Sequence, residues 1–180
     1  MKRAVFLDRD GVVNRSVVRD GKPYPPQTLA EFEFLPGVED AMRSLRKAGF
    51  VVVVVTNQPD VSTGKQTRAV VESMHAMLLS QGLCDDVRVC YHTDADGCEC
   101  RKPKPGMLRD ASRDLGLDLG KSFMVGDRWR DVGAGKAAEC FTYFIDYGYN
   151  ERAPERPDAV VDSLAAAARE ILKNAAQPIA

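Results

Sequence analysis

Five valines in a row, Val51 to Val55, followed by Thr56, constrain the fold more than any other feature of the chain. β-Branched side chains are stiff about χ1 and sit well on a pleated surface. A run with no polar position in alternation has no face to give to water, so its strand must be covered on both sides. That is the situation of a central strand in a parallel sheet between two layers of helices. The runs "AVFLD" (4–8), "VRVCY" (87–91), "FMVGD" (123–127) and "FTYFI" (141–145) read as further strands. Amphipathic segments fall between them. Pro36-Gly37 opens a helix with Val38, Met42 and Leu45 on one face, and Gly49 stops it. Val70, Val71, Met74, Met77 and Leu78 mark a second, followed by Gly82; Met107, Leu108, Ala111 and Leu115 mark a third, ended at Gly116. Residues 130–139 and 163–173 supply further helices. The βαβα order predicts an α/β fold with an open, doubly wound, mainly parallel sheet. Residues 11–35, with Gly21, Pro23, Pro25 and Pro26, read as a long non-helical excursion of the kind that forms lids or binding loops. The end of the chain, "AAQPIA", reads as frayed.

A chain of 180 residues, 44% hydrophobic, supports one core, so a single domain over 1–180 is expected. The net charge of -1 and a pI near 6.1 give no field that would draw it to nucleic acid or to an anionic membrane. After Met1, Lys2 and Arg3 the apolar run extends only from Ala4 to Leu7, too short for a secretory signal, and no stretch reaches membrane-spanning length. The expected location is the cytoplasm, where thiols stay reduced. Three of the five cysteines and one of the two histidines lie between residues 90 and 100, which points to metal binding or chemistry rather than a disulfide framework.

In an open α/β sheet, ligands bind beyond the carboxyl ends of the strands. The first strand ends in "LDRDGVVN", with Asp8 at its tip and Asp10 two residues on. The second ends in Thr56 and Asn57, and the strand at 123–127 leads into Asp127 and Asp131. Lys102 follows the third. Several close carboxylates repel one another and raise each other's pKa unless a cation sits among them, and Mg²⁺, a hard oxygen-seeking ion, suits the role. Such a group can transfer a phosphoryl unit to water. Asp8 attacks phosphorus, Asp10 serves as general acid and then base, and Lys102 and Thr56 hold the oxygens on which charge spreads. Taken singly, each feature has an ordinary reading. Asp-x-Asp and "TNQ" are common strand exits, Asp127 suits a helix N-cap, and Lys102 suits a solvated loop. Their convergence on one rim carries the functional reading.

The stretches "LDRDGVVN", "VVVTNQ", "CRKPKPGM" and "VGDRWRD" resemble, in order, the four motifs of the haloacid dehalogenase superfamily of phosphohydrolases, over residues 4 to 145. They are most similar to the branch that contains heptose bisphosphate and histidinol-phosphate phosphatases. The resemblance implies Asp8 as nucleophile, Asp10 as acid/base, and Mg²⁺ held by Asp8, the Asp10 carbonyl and Asp127. It implies Asp131 as support for the metal ligands, with Thr56, Asn57, Lys102, Arg101 and Arg128 on the substrate side. It further implies a structural Zn²⁺ on Cys90, His92, Cys98 and Cys100, in a loop over 90–100. The implied substrate is a small phosphorylated sugar, foremost a heptose 1,7-bisphosphate, with histidinol phosphate or another sugar phosphate as the alternative; a monomer is expected. Members of the heptose branch continue "TNQ" as Ser-Gly-Ile-Ala-Arg-Gly, where this chain has Pro59, Asp60, Val61, Ser62, Thr63 and Gly64, so a substrate-side arginine is missing. The chain has no room for a large cap domain, which leaves selectivity to residues 11–35, 58–65 and the cysteine loop. A reading of another class takes the cysteines with Arg101, Lys102 and Lys104 as a zinc knuckle for nucleic acid or protein. The near-zero net charge and the lack of interleaved aromatics other than Tyr91 count against it.

Overall fold

The computed structural model describes residues 1–175, and the elements run β1 (Ala4–Leu7), β2 (Val17–Arg19), β3 (Lys22–Tyr24), α1 (Val38–Lys47), β4 (Val51–Asn57), α2 (Arg68–Ser80), β5 (Asp86–Cys90), α3 (Gly106–Leu115), β6 (Phe123–Gly126), α4 (Trp129–Ala137), β7 (Phe141–Ile145), β8 (Ala159–Val161) and α5 (Leu164–Ala175). Strands β5-β4-β1-β6-β7-β8 form one sheet in which every pairing is parallel. The valine run behaves as its composition requires. Val52 and Val54 point into a core with Met42 and Leu45 of α1 and Leu164 and Ile171 of α5, while Val53 and Val55 point into a second core with Met107 and Leu108 of α3. Val52 to Val55 are fully buried, each worth about 1.5–3 kcal/mol over exposure. The chain leaves β1 toward β4 on one side and reaches β6 on the other, so strand order reverses at the tip of β1. A crevice opens at such a reversal.

Two features depart from the expected pattern. Residues 11–35 are not structureless: β2 and β3 pair as an antiparallel hairpin, and a short 3-10 turn covers Leu29–Glu31. The hairpin turns through Asp20 (φ 51°) and Gly21 (φ 71°), both left-handed, as a two-residue type I′ loop demands. The Asp-Gly pair was the available signal, muted because each flanking strand has only three residues. The sixth sheet strand, β8, is likewise a three-residue edge with no flanking pattern. Among the described residues there is no cap domain beyond this hairpin, and no helix is long and apolar enough to cross a membrane. The expected fraying of "AAQPIA" bears on residues 176–180, which lie outside the described residues.

Candidate active site

Three strand tips and one loop build the site. Asp8 continues the sheet past β1, its amide donating to Val125 O at 3.0 Å. Its Oδ1 accepts from Lys102 Nζ at 2.7 Å. The same ammonium donates to Asp131 Oδ1 at 2.6 Å and to Val55 O at 2.7 Å, which uses all three of its donors. Lys102 reaches this point because Asn57, at the end of β4, binds its backbone twice: Nδ2 donates to Lys102 O (3.0 Å), and Lys102 N donates to Asn57 Oδ1 (3.1 Å). Asp131 also caps α4 by accepting from Arg128 N at 3.0 Å. The N-cap of α4 is thus Arg128 and not Asp127, whose carboxylate lies with those of Asp8 and Asp131. Gly126 makes this approach possible, since a Cβ there would lie 2.0 Å from Asp131 Cβ.

The electrostatics are those of crowded, buried carboxylates. Oxygens of Asp8, Asp127 and Asp131 lie within 4.8 Å of one another, and all three residues are buried. Burial, then Asp131, pushes the Asp8 carboxyl up to about 6 despite Lys102. Burial, then Asp8 and Asp131, raises Asp127 well above the usual carboxylate range. Burial opposes the Lys102 charge, but Asp131 and Asp8 together outweigh it and raise its pKa. Asp127 Oδ1 is buried and has no hydrogen-bond partner among the described residues. An unpartnered oxygen among crowded carboxylates fits a hard divalent cation, which would meet both the missing bond and the repulsion.

Asp10 is held by residues that motif reading passed over. Both of its oxygens accept from Arg9 Nη2 at 3.0 Å, Oδ1 also accepts from Asn14 Nδ2 (3.0 Å), and Oδ2 from Gln58 Nε2 (2.7 Å). Arg9 is fully buried and leans on His75 Nε2 at 3.1 Å. Since a guanidinium only donates, His75 must accept. Burial, then Arg9, lowers its pKa to about 4, so it is neutral at neutral pH. Gln58 donates as well to Thr56 Oγ1 (2.9 Å), which leaves the Thr56 hydroxyl proton for a ligand. Arg9 sits between two aspartates that drew the attention, and a buried arginine leaves no mark in a sequence. His75 had one: it falls on the inner face of α2 with Val71, Met74 and Leu78.

A cleft of about 290 Å³ opens above Asp8, Asp10, Thr56 and Lys102, with Lys22 and Tyr24 of the hairpin and Arg128 and Arg130 of α4 toward its mouth. Arg128 is also paired with Glu151. Asn57 reaches the cleft, but its amide is spent on Lys102. Arg101 does not line the cleft: its guanidinium is bound to Asp94 Oδ1 (2.8 Å) and His92 O (3.1 Å). Arg130 stands in the cleft instead.

The second cluster lies at the end of β5. Ligand atoms of Cys90, His92, Cys98 and Cys100 fall within 4.8 Å of one another, with sulfur–sulfur separations of 3.1, 3.4 and 3.7 Å. His92 Nδ1 lies 3.3 Å from Cys100 Sγ and 3.6 Å from Cys90 Sγ. A tetrahedral Zn²⁺ with Zn–S bonds of about 2.3 Å would space its sulfurs by about 3.8 Å, so four soft donors already stand near the corners of such a site. The basic residues beside it are committed elsewhere. Arg101 pairs with Asp94, Lys104 with Glu99 at 2.7 Å, and Lys102 is buried, so the loop presents no free basic patch.

Comparison with known proteins agrees with this geometry. A HAD-hydrolase-like family model matches residues 99–167. The chain is 36% identical over 178 residues to the D-glycero-beta-D-manno-heptose-1,7-bisphosphate 7-phosphatase of Pseudomonas aeruginosa, covering 94% of this chain and 97% of that protein. It is 38% identical over 186 residues to the protein of that name from Escherichia coli K12, covering 95% and 94%. The crystal structure of a D,D-heptose 1,7-bisphosphate phosphatase from B. bronchiseptica, complexed with magnesium and phosphate, superposes with a TM-score of 0.82 at 33% identity, over 96% of this chain and 99% of that one. With this identity along nearly the whole length, the chain belongs to the haloacid dehalogenase-like phosphatases, in the family that contains these heptose bisphosphate phosphatases.

Proposed function

We propose that the protein removes the 7-phosphate of D-glycero-D-manno-heptose 1,7-bisphosphate, with Mg²⁺ as cofactor and Asp8 as the covalent carrier of the phosphoryl group. The observation that carries this reading is the Asp8–Lys102–Asp131 cluster at the point where strand order reverses, beside the unpartnered Asp127 Oδ1. Lys102 occupies Asp8 Oδ1, which leaves Oδ2 to attack. As the Oδ2–P bond forms, the ester P–O bond breaks, and the leaving oxygen takes a proton from Asp10. A water then attacks phosphorus, Asp10 takes its proton, and the P–Oδ2 bond breaks to release phosphate and restore the Asp8 carboxylate. Lys102 and the Thr56 hydroxyl steady the phosphoryl oxygens in both steps. Both Asp10 oxygens accept from Arg9, Asn14 or Gln58, an arrangement that suits the carboxylate required in the second step. The acid form of the first step requires it to release at least one donor. Mg²⁺ would be held by Asp8, the Asp10 carbonyl and Asp127, with Asp131 steadying the group through Lys102, and supplies charge neutralisation for the phosphate. Zn²⁺ would be held by Cys90, His92, Cys98 and Cys100 with no open position, in a structural role.

Of the cations lining the cleft, Lys22 is in no ion pair among the described residues, whereas Arg128 and Arg130 are held by Glu151 and Asp94 and would exchange those partners for a second anionic group; Pro59–Gly64 carries no arginine. The test is turnover across a panel of phosphorylated sugars that includes heptose bisphosphates, together with histidinol phosphate, in wild type and Asp8→Asn. Heptose 1,7-bisphosphate is expected to give the highest kcat/KM, and Asp8→Asn to lose activity by orders of magnitude. Wild-type turnover by a folded, undeamidated Asp8→Asn protein would refute the mechanism; preference for another phosphate would refute the substrate.

A further inference from the structure

The outer wall of the carboxylate cluster is built by a segment that none of the four motifs covers. After β7 the chain folds back, and Tyr149 Oη donates to Asp127 Oδ2 at 2.9 Å. The Tyr149 ring rests against Tyr147, with centroids 5.6 Å apart, and Glu151, two residues on, pairs with Arg128, the neighbour of Asp127. The opposite side of Oδ2 is closed by Gly11. A Cβ at that position, where φ is +91°, would lie 1.9 Å from Oδ2. Oδ2 is thus walled by backbone on one side and satisfied by a phenol on the other. Oδ1 of the same carboxylate is buried and has no partner among the described residues.

We propose that Tyr149 is a positioning residue for the divalent cation, fixing the Asp127 carboxylate so that one oxygen, Oδ1, is presented and two-oxygen binding is denied. The proposal rests on the reading above that a cation sits among Asp8, Asp10 and Asp127. Hydrogen bonds to a ligating carboxylate set its orientation, and their loss typically costs about 10–100-fold in metal affinity. Which ion suffers more follows from coordination chemistry. Mg²⁺ demands near-octahedral placement of single oxygens, whereas Ca²⁺ accepts irregular shells and bidentate carboxylates. Freeing the Asp127 carboxylate therefore penalises Mg²⁺ and spares Ca²⁺. The signal is invisible to motif matching because Tyr149 is distant in sequence from every motif and acts through one oxygen of a residue it does not adjoin.

Tyr149→Phe keeps the ring and removes only the hydroxyl. Binding of Mg²⁺ and of Ca²⁺ to the substrate-free protein is measured by titration calorimetry, with the fluorescence of the single tryptophan, Trp129, as a second signal. The Mg²⁺ dissociation constant is expected to rise about tenfold and the Ca²⁺ constant by less, so that selectivity for Mg²⁺ falls, while the metal-free melting midpoint drops by only the few degrees that one lost hydrogen bond to a buried carboxylate brings. An unchanged Mg²⁺ affinity, or equal losses for both ions, would overturn the proposal. Asp127→Asn separates it from its foundation. If that variant binds Mg²⁺ as wild type does, the cation reading is wrong. If it loses Mg²⁺ while Tyr149→Phe does not, the cation reading stands and the role of Tyr149 falls.

Discussion

Lys102→Met is the substitution whose consequences the structure fixes most tightly. The ammonium is 2% exposed and donates to two carboxylates and a carbonyl, each at 2.7 Å or less. Methionine preserves most of the side-chain volume but leaves Asp8 and Asp131 facing each other, both buried. Removing one partner of a buried ionic group costs about 3–5 kcal/mol. At about 2–4 °C per kcal/mol for a chain of this size, the metal-free melting midpoint should fall by roughly 6–20 °C at pH 8. The loss should depend on pH in a defined direction. A carboxyl whose folded pKa is raised contributes stability that is fully present below its unfolded value and is lost as pH rises through the folded one. For Asp8 that window runs from 3.8 to about 6 in wild type. Lys102 is among the groups that lower the Asp8 pKa, so in the variant the window extends higher. The Asp8 share of the loss ends near pH 6 in wild type and continues above it in the variant, while the raised Asp127 adds its own loss to both proteins. Urea unfolding of both proteins without added divalent ions, at pH 5 and at pH 8, measures the difference. A deficit below about 1 kcal/mol at pH 8, or one that is not smaller at pH 5, would refute the reasoning.

Asp10→Asn should slow hydrolysis of alkyl phosphates far more than that of p-nitrophenyl phosphate, whose leaving group scarcely needs a proton, as kcat on the two substrates will show; equal losses would remove Asp10 from the acid role. Cys98→Ser should lose bound zinc and lower kcat/KM by up to about a hundredfold without rescue by high Mg²⁺, since ångström-scale misplacement of Lys102 has costs of that order. Elemental analysis of wild type should find about one zinc per chain, and its absence would return the cluster to unmetallated cysteines.

What could be read in the sequence follows a physical dividing line. Strand composition is a local property: the valine run, fully buried between two cores, announced a doubly covered strand, and the positions just past each apolar run are the places where such a sheet exposes side chains. Asp8, Thr56 and Asp127 could therefore be found by position alone, whereas Lys102, in a turn well beyond β5, and Asp131, inside α4, were found only by their convergence with the motif pattern. The residues that orient them could not. Arg9, Asn14, Gln58, His75 and Tyr149 act through hydrogen bonds that span from 1 to 66 residues of chain. Whether a given Arg or Tyr makes such a bond depends on packing that no spacing encodes. Arg101 shows the converse. Its place next to Lys102 suggested the cleft, but the chain turns there, with Lys104 N donating to Arg101 O at 2.9 Å, and its guanidinium went to Asp94.

Asp94 is also where the two clusters are joined. Its carboxylate accepts from Arg101, which follows Cys100, and at 3.0 and 3.1 Å from Arg130, which adjoins Asp131 at the start of α4. Arg130 Nη1 further donates to Lys102 O at 3.4 Å. The segment from Cys100 to Lys102 is therefore gripped at three points: by the Cys/His tetrad before it, by Asn57 at the tip of β4, and by α4 through Arg130. A lysine on an ordinary loop would sample many rotamers and lose about 1.5–2 kcal/mol of side-chain entropy on being held. Here the backbone on which it stands is fixed before the ammonium is placed, so its three donors meet Asp8, Asp131 and Val55 O from a settled origin. A structural ion at the tetrad would act on the chemistry by this route alone, through the position of Lys102, without touching a substrate. That is why its loss should appear in kcat/KM and not be compensated by the ion of the carboxylate site.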